Sequence, residues 1–196
     1  MARPRKFNEA DVLAAARDEF WSRGYTATSV EDLTAATGLG KGSLYGAFGD
    51  KHDLFLRALD FYCTTAIDGV LAQLREPDRS AYDRLTRHIR KQAAAVAADK
   101  DRRGCMMSKS AAELGARDEA AAHIIERSLA TWRNELMDCI KAAQREGWID
   151  RKQNPQALAT TLLGFMRGLD ALWKGGAKPA QIKAAAEEII ALIPAG

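Results

Sequence analysis

Lys41, Gly42 and Ser43 follow a Gly38-Leu39-Gly40 turn in direct succession, with Tyr45 and Lys51 close behind. An ammonium, a bare stretch of backbone and hydroxyl groups in that order suit hydrogen bonding to phosphate oxygens and base edges, not bond making. Gly42 permits close backbone approach, while Lys41 can donate to a purine edge or a phosphate. The aromatic body of Tyr45 equally suits a packed core position. Upstream, Thr28 and Ser29 offer hydroxyl and backbone donors at a helix start, where the helix dipole also favours an anion. Arg3, Arg5 and Lys6 form a basic arm ahead of the first helix. Such an arm either reaches into a minor groove or stays a solvated tail.

Chemistry of other kinds finds little support. No Ser-His-Asp order, metal-ligand cluster or phosphate loop is present, and His52, His88 and His123 are read as scattered over charged helix faces. Neither an enzyme nor a bound cofactor or metal is expected. Cys63, Cys105 and Cys139 are odd in number and widely spaced, which argues for thiols over a disulfide framework. Net charge is +3, a weak bias toward an anionic partner, and residues 1–51 carry seven basic against seven acidic side chains. A DNA-binding face must therefore come from placement of charge, not from its regional sum. No run approaches the roughly 18 apolar residues of a membrane span, and the N-terminus lacks an apolar signal core, so no membrane partner and a cytoplasmic location are expected.

The elements that position these groups are helices. Hydrophobic residues make up 47% of the 196, prolines number five, and Ala, Leu, Arg, Lys and Glu recur throughout, so the expected class is all-α with about nine helices. Asn8 caps a first helix that ends at Gly24. Ser29, with Asp32 three residues on, opens a second over 30–37, and a third covers 41–48. Two short helices joined by three residues form a helix-turn-helix (HTH), although spacing alone equally allows a compact three-helix unit whose Leu33, Leu39, Leu44 and Phe48 are core. A long helix is expected from Asp50 to about Arg75, then others over roughly 80–98, 105–114, 118–146, 154–174 and 179–193.

The N-terminal spacing resembles that of the tetracycline-repressor (TetR) family. Phe20, Gly24, Tyr25, Thr28, Ser29, Val30, Gly38, Lys41, Gly42, Ser43, Leu44, Tyr45, Phe48 and Lys51 carry the resemblance over about the first 55 residues. The departures are Gly40, where serine is common, and Gly46 and Ala47, where larger phosphate-contacting side chains are frequent. The resemblance implies an HTH domain over 1–51 and an effector-binding, dimerising helical domain over 52–196. It also implies a double-stranded DNA operator, a small-molecule effector and a homodimer. The expected DNA contacts are Arg3, Arg5, Thr28, Ser29, Lys41, Gly42, Ser43, Tyr45 and Lys51.

For the C-terminal half, aromatic and methionine side chains at helical spacing nominate Phe61, Tyr62, Cys105, Met106, Trp132, Met137, Phe165 and Met166 as effector-pocket residues, although such stripes also build ordinary cores. Apolar residues on more than one face nominate Leu158, Leu162, Leu169, Trp173, Ile182 and Ile189 for the dimer interface. The leading expectation is a repressor released from a palindromic operator by an apolar or aromatic effector. The alternative is a redox or electrophile sensor acting through Cys105, which follows Arg102, Arg103 and Gly104 at a helix start and so has features that favour thiolate. A small buried apolar role for Cys105 stays open beside it.

Overall fold

The computed structural model describes residues 7–196, and Arg3, Arg5 and Lys6 lie outside them. Nine helices cover the described residues: α1 (Glu9–Arg23), α2 (Val30–Thr37), α3 (Lys41–Phe48), α4 (Lys51–Leu74), α5 (Ala81–Ala98), α6 (Met106–Leu114), α7 (Glu119–Arg145), α8 (Pro155–Lys174) and α9 (Pro179–Ala191). The expected all-α class holds, with boundaries within about two residues of those read from caps and breakers.

Local chemistry explains the boundaries. The Asn8 side chain accepts from Ala10 N–H, and Ser29 and Asp32 form a reciprocal capping box at the start of α2. Gly38 ends α2 in the left-handed region at φ 68°, which glycine adopts without a Cβ penalty. At the start of α4, Asp50 accepts from His52 and Asp53 N–H groups while Asp53 accepts from Asp50 N–H. Asn154 caps α8 by accepting from Gln156 and Ala157, with Pro155 at the first helical position.

Two compact units result. The first comprises the chain to Thr65 together with Met106–Glu126, so the three N-terminal helices share their packing unit with the start of α4 and with α6. Its core includes Val12, Ala16, Phe20, Leu33, Leu44, Phe48, Leu54, Phe55, Ala58 and Leu59, all nearly inaccessible. Phe20 meets Phe55 edge to face at 5.2 Å.

The second unit comprises Ala66–Cys105 and Arg127–Gly196. Here α5 packs on α8 and α9, burying Leu85, Ile89, Val96, Leu162, Met166, Leu169, Ile182, Ala186 and Ile190. His88 is wholly buried in this core, which corrects the reading of all three histidines as lying on charged faces. The basic residues Arg87, Arg90 and Lys91 around it hid the fact that His88 falls on the same helical stripe as Leu85.

Candidate nucleic-acid interface

The third helix has two opposed faces. Leu44 and Phe48, four residues apart, are buried at 0% and 3% exposure and anchor it in the first unit. Lys41, Gly42, Ser43 and Gly46 are exposed on the outward side. A side chain at Gly40, Gly42 or Gly46 would meet nothing within 4 Å, so this face is bare backbone flanked by one ammonium and one hydroxyl. Gly40 supplies no side-chain cap, leaving the first amides of α3 without a local side-chain acceptor.

Tyr45 is half-buried between these faces. Burial, and then the negative charge of Asp50 and Glu31, push its phenol above its ordinary pKa, which keeps the hydroxyl protonated as a donor. Lys51 Nζ sits 4.5 Å from the centre of the Tyr25 ring, a cation–π placement that orients the lysine at the start of α4.

Ser29 is exposed, and its hydroxyl takes part in the capping box with Asp32. The Ser29 hydrogen bonds hold the Asp32 carboxyl below its usual range, so a negative charge stands at the α2 N-terminus. Thr28 does not join the interface. It is buried at 1% exposure, and its hydroxyl donates to Gly24 O at 2.6 Å, closing the corner between α1 and α2. Its expected phosphate contact is therefore withdrawn: the hydroxyl serves the turn.

Arg23 was not anticipated from the sequence. Its guanidinium is about half-exposed and bridges Glu19 at 2.5 Å and Asp32 at 3.4 Å, which puts a cation beside the α2 N-terminus. The only sequence signal was a basic residue in the last turn of α1, which reads as dipole complementarity. Asp50, His52 and Asp53 place ligand atoms within 4.8 Å of one another, but their carboxylates cap α4 and His52 Nε2 lies 2.6 Å from Asp118.

The expected effector residues divide between the units: Phe61, Tyr62 and Met106 belong to the first, and Cys105, Trp132, Met137, Phe165 and Met166 to the second. Met106 N–H donates to the Tyr62 hydroxyl at 3.3 Å. Trp132 and Met166 are buried, whereas Met137 and Phe165 are half-exposed. Cys105 is 5% exposed, and the neighbouring cations are drawn elsewhere. Arg102 lies 4.2 Å from the Trp173 ring centre and donates to Trp173 O, while Arg103 approaches Asp99 at 3.9 Å.

Four of the expected interface residues, Leu162, Leu169, Trp173 and Ile182, are buried within the chain itself, which removes them as surface contacts. Hydrophobicity marked them, but intramolecular packing consumes them; Leu158 and Ile189 are half-exposed. The outward face of α8 instead carries Ala157, Thr161, Gly164, Gly168, Ala171 and Leu172, the last 57% exposed.

Comparison with known proteins bears on this geometry. Residues 12–58 match the family model for bacterial regulatory proteins of the tetR family, and residues 81–189 match that of the tetracyclin repressor-like C-terminal domain. The HTH-type transcriptional regulator YezE of Bacillus subtilis (strain 168) is 32% identical over 128 residues, 65% of each chain. The HTH-type transcriptional repressor BdcR of Escherichia coli (strain K12) is 35% identical over 106 residues, 54% of this chain and 53% of that one. The matches thus span between half and two thirds of the length of these curated relatives. Among solved structures, a cysteine mutant of the TetR family regulator CifR, complexed with 26-bp double-strand operator DNA, superposes with a TM-score of 0.85 at 25% identity, covering 98% of this chain and 100% of that one.

Proposed function

The chain belongs to the TetR family of bacterial transcriptional regulators, which are not enzymes, and we propose that it is a ligand-responsive repressor that binds a palindromic DNA operator as a homodimer. In this reading residues 1–51 read DNA, and residues 52–196 bind the effector and dimerise. The observation that carries it is the two-faced third helix: Leu44 and Phe48 hold it down while Lys41, Gly42 and Ser43 stand exposed at its N-terminal end. An HTH recognition helix enters the major groove with those N-terminal residues toward base edges. Support also comes from the CifR structure, which was solved with operator DNA. Selecting bound duplexes from a random DNA pool tests the reading: a two-fold symmetric consensus is expected, and recovery of no preferred sequence at low salt would overturn it.

Dimerisation accounts for the outward face of α8. Small residues at 157, 161, 164, 168 and 171 let a second helix approach closely, and exposed Leu172 would gain by burial. A two-fold axis there pairs the patch with itself and holds two reading heads at a fixed separation. For the effector, an apolar or aromatic compound matches the chemistry of Trp132, Met137, Phe165 and Met166 in the second unit. Regulation through Cys105 is the weaker alternative, because burial limits access to the thiol and Arg102 and Arg103 are otherwise engaged.

A further inference from the structure

The end of α1 is completed by side chains from far along the chain. A helix leaves its last carbonyls without internal donors, and the turn after it leaves amides without acceptors. Here Lys109 Nζ donates to Trp21 O at 3.0 Å and to Ser22 O at 2.7 Å. Just beyond, Tyr25 N–H donates to Glu113 Oε2 at 3.0 Å and Thr26 N–H to Glu113 Oε1 at 2.7 Å. These partners lie 87 or 88 residues apart in sequence. Lys109 and Glu113 are one helical turn apart on α6, so one face of that helix sets a cation on carbonyls and an anion on amides.

The fit is close. A Cβ at Gly24 would lie 2.8 Å from Glu113 Oε2, and Gly24 has φ 93°, so both contact and conformation require glycine there. Burial works to raise the Glu113 pKa, but the Thr26 and Tyr25 donors and the charge of Lys109 bring it below its ordinary value, and the group acts as a carboxylate. Thr28 then closes the same corner onto Gly24 O, and Ser29 begins α2.

We propose that Lys109 and Glu113 are positioning residues for the DNA-reading head, building the α1–α2 corner and so fixing how the α2–α3 pair, with Lys41, Gly42 and Ser43 exposed on α3, meets the operator. The proposal rests on the DNA-binding reading above and adds residues of α6, outside the HTH segment, to the determinants of operator affinity. A displacement of about 1 Å takes these hydrogen bonds out of range, so operator affinity becomes sensitive to the position of α6.

The test uses the full chain and the variants Glu113→Gln, Lys109→Met and Lys109→Arg. Glutamine replaces one acceptor oxygen with a donor, methionine removes the cation, and arginine preserves donation to the carbonyls. In DNA-free protein, Glu113→Gln is expected to speed amide hydrogen exchange at Tyr25 and Thr26 by ~10-fold. Against the duplex selected by the wild type, Glu113→Gln and Lys109→Met lose ~10-fold in affinity, Lys109→Arg stays near wild type, and a scrambled duplex of equal length is bound equally by all. A role limited to overall stability would leave the ratio of the two affinities unchanged in the folded variants, and that result overturns the proposal. Unchanged exchange at Tyr25 and Thr26 overturns the corner itself. If the wild type selects no duplex, the DNA-binding reading fails and the proposal falls with it. Should Glu113→Gln fail to fold, the Lys109→Met and Lys109→Arg pair carries the same comparison.

Discussion

The indole Nε1 of Trp132 lies 3.0 Å from His88 Nε2, deep in the second unit. An indole nitrogen only donates, so His88 Nε2 is the acceptor and the imidazole proton resides on Nδ1, 3.0 Å from Gln73 Oε1. The wholly buried histidine is therefore neutral and satisfied on both sides. Removing the donor while keeping an aromatic ring, as in Trp132→Phe, leaves a buried acceptor unpaired and is expected to cost about 1–3 kcal/mol in urea unfolding. An unchanged unfolding midpoint would show that the bond contributes nothing.

The same residue sets a pH dependence. Burial, then the charges of Arg167 and Lys91, push the His88 pKa down to about 3. The unfolded chain takes up this proton near 6.5, the ordinary histidine value, so between the two pKa values it binds more protons than the folded chain. The stabilisation is complete above about pH 6.5 and is lost progressively as pH falls toward about 3, by roughly 3–5 kcal/mol in all. Urea midpoints measured from pH 7 to 4 should fall, and His88→Gln should flatten that slope. Equal slopes in both proteins would place the acid sensitivity elsewhere.

Lys41 and Lys51 are assigned different work on DNA. Lys41→Ala should weaken operator binding and relax base preference. Lys51→Ala should weaken all duplexes about evenly and lower the salt slope by about one. Binding titrations over a salt series separate the two, and identical behaviour would contradict the assignment.

Gly46 is exposed on α3, with open space where a Cβ would stand. Gly46→Ala should therefore raise stability by about 0.5–1 kcal/mol through helix propensity alone. Weaker operator binding by this more stable variant, measured by titration, would show that the bare backbone approaches the DNA.

Gly168 tests the proposed dimer face of α8. A side chain there meets nothing within 4 Å in the chain, so Gly168→Arg should leave helix content nearly unchanged by circular dichroism. Sedimentation at micromolar concentration should show a shift from dimer to monomer, since a bulky cation obstructs close approach of the paired helices. A dimer of wild-type strength would move the interface away from this face.

Helix order and boundaries were legible in the sequence because their signals are local. Asn8, Ser29 and Asn154 cap within three residues of themselves, and Gly24 and Gly38 terminate through their own backbone freedom. The two sides of α3 were legible for the same reason: Leu44 and Phe48, four residues apart, fix the buried side of a short helix, leaving Lys41, Gly42 and Ser43 exposed.

Tertiary structure alone decided which polar groups are spent inside the protein. Thr28 and Ser29 are adjacent hydroxyl residues, yet one is buried against Gly24 O and the other faces out, because the corner must close on itself. His88 sits among charged neighbours in sequence but beside Trp132 and Gln73 in space. Leu162, Leu169, Trp173 and Ile182 are apolar enough for an interface, yet the packing of α5 against α8 and α9 belongs to the core that buries them. Lys109 and Glu113 carry no motif at all. Their roles depend on hydrogen bonds reaching across some ninety residues, and no local pattern encodes a contact at that separation.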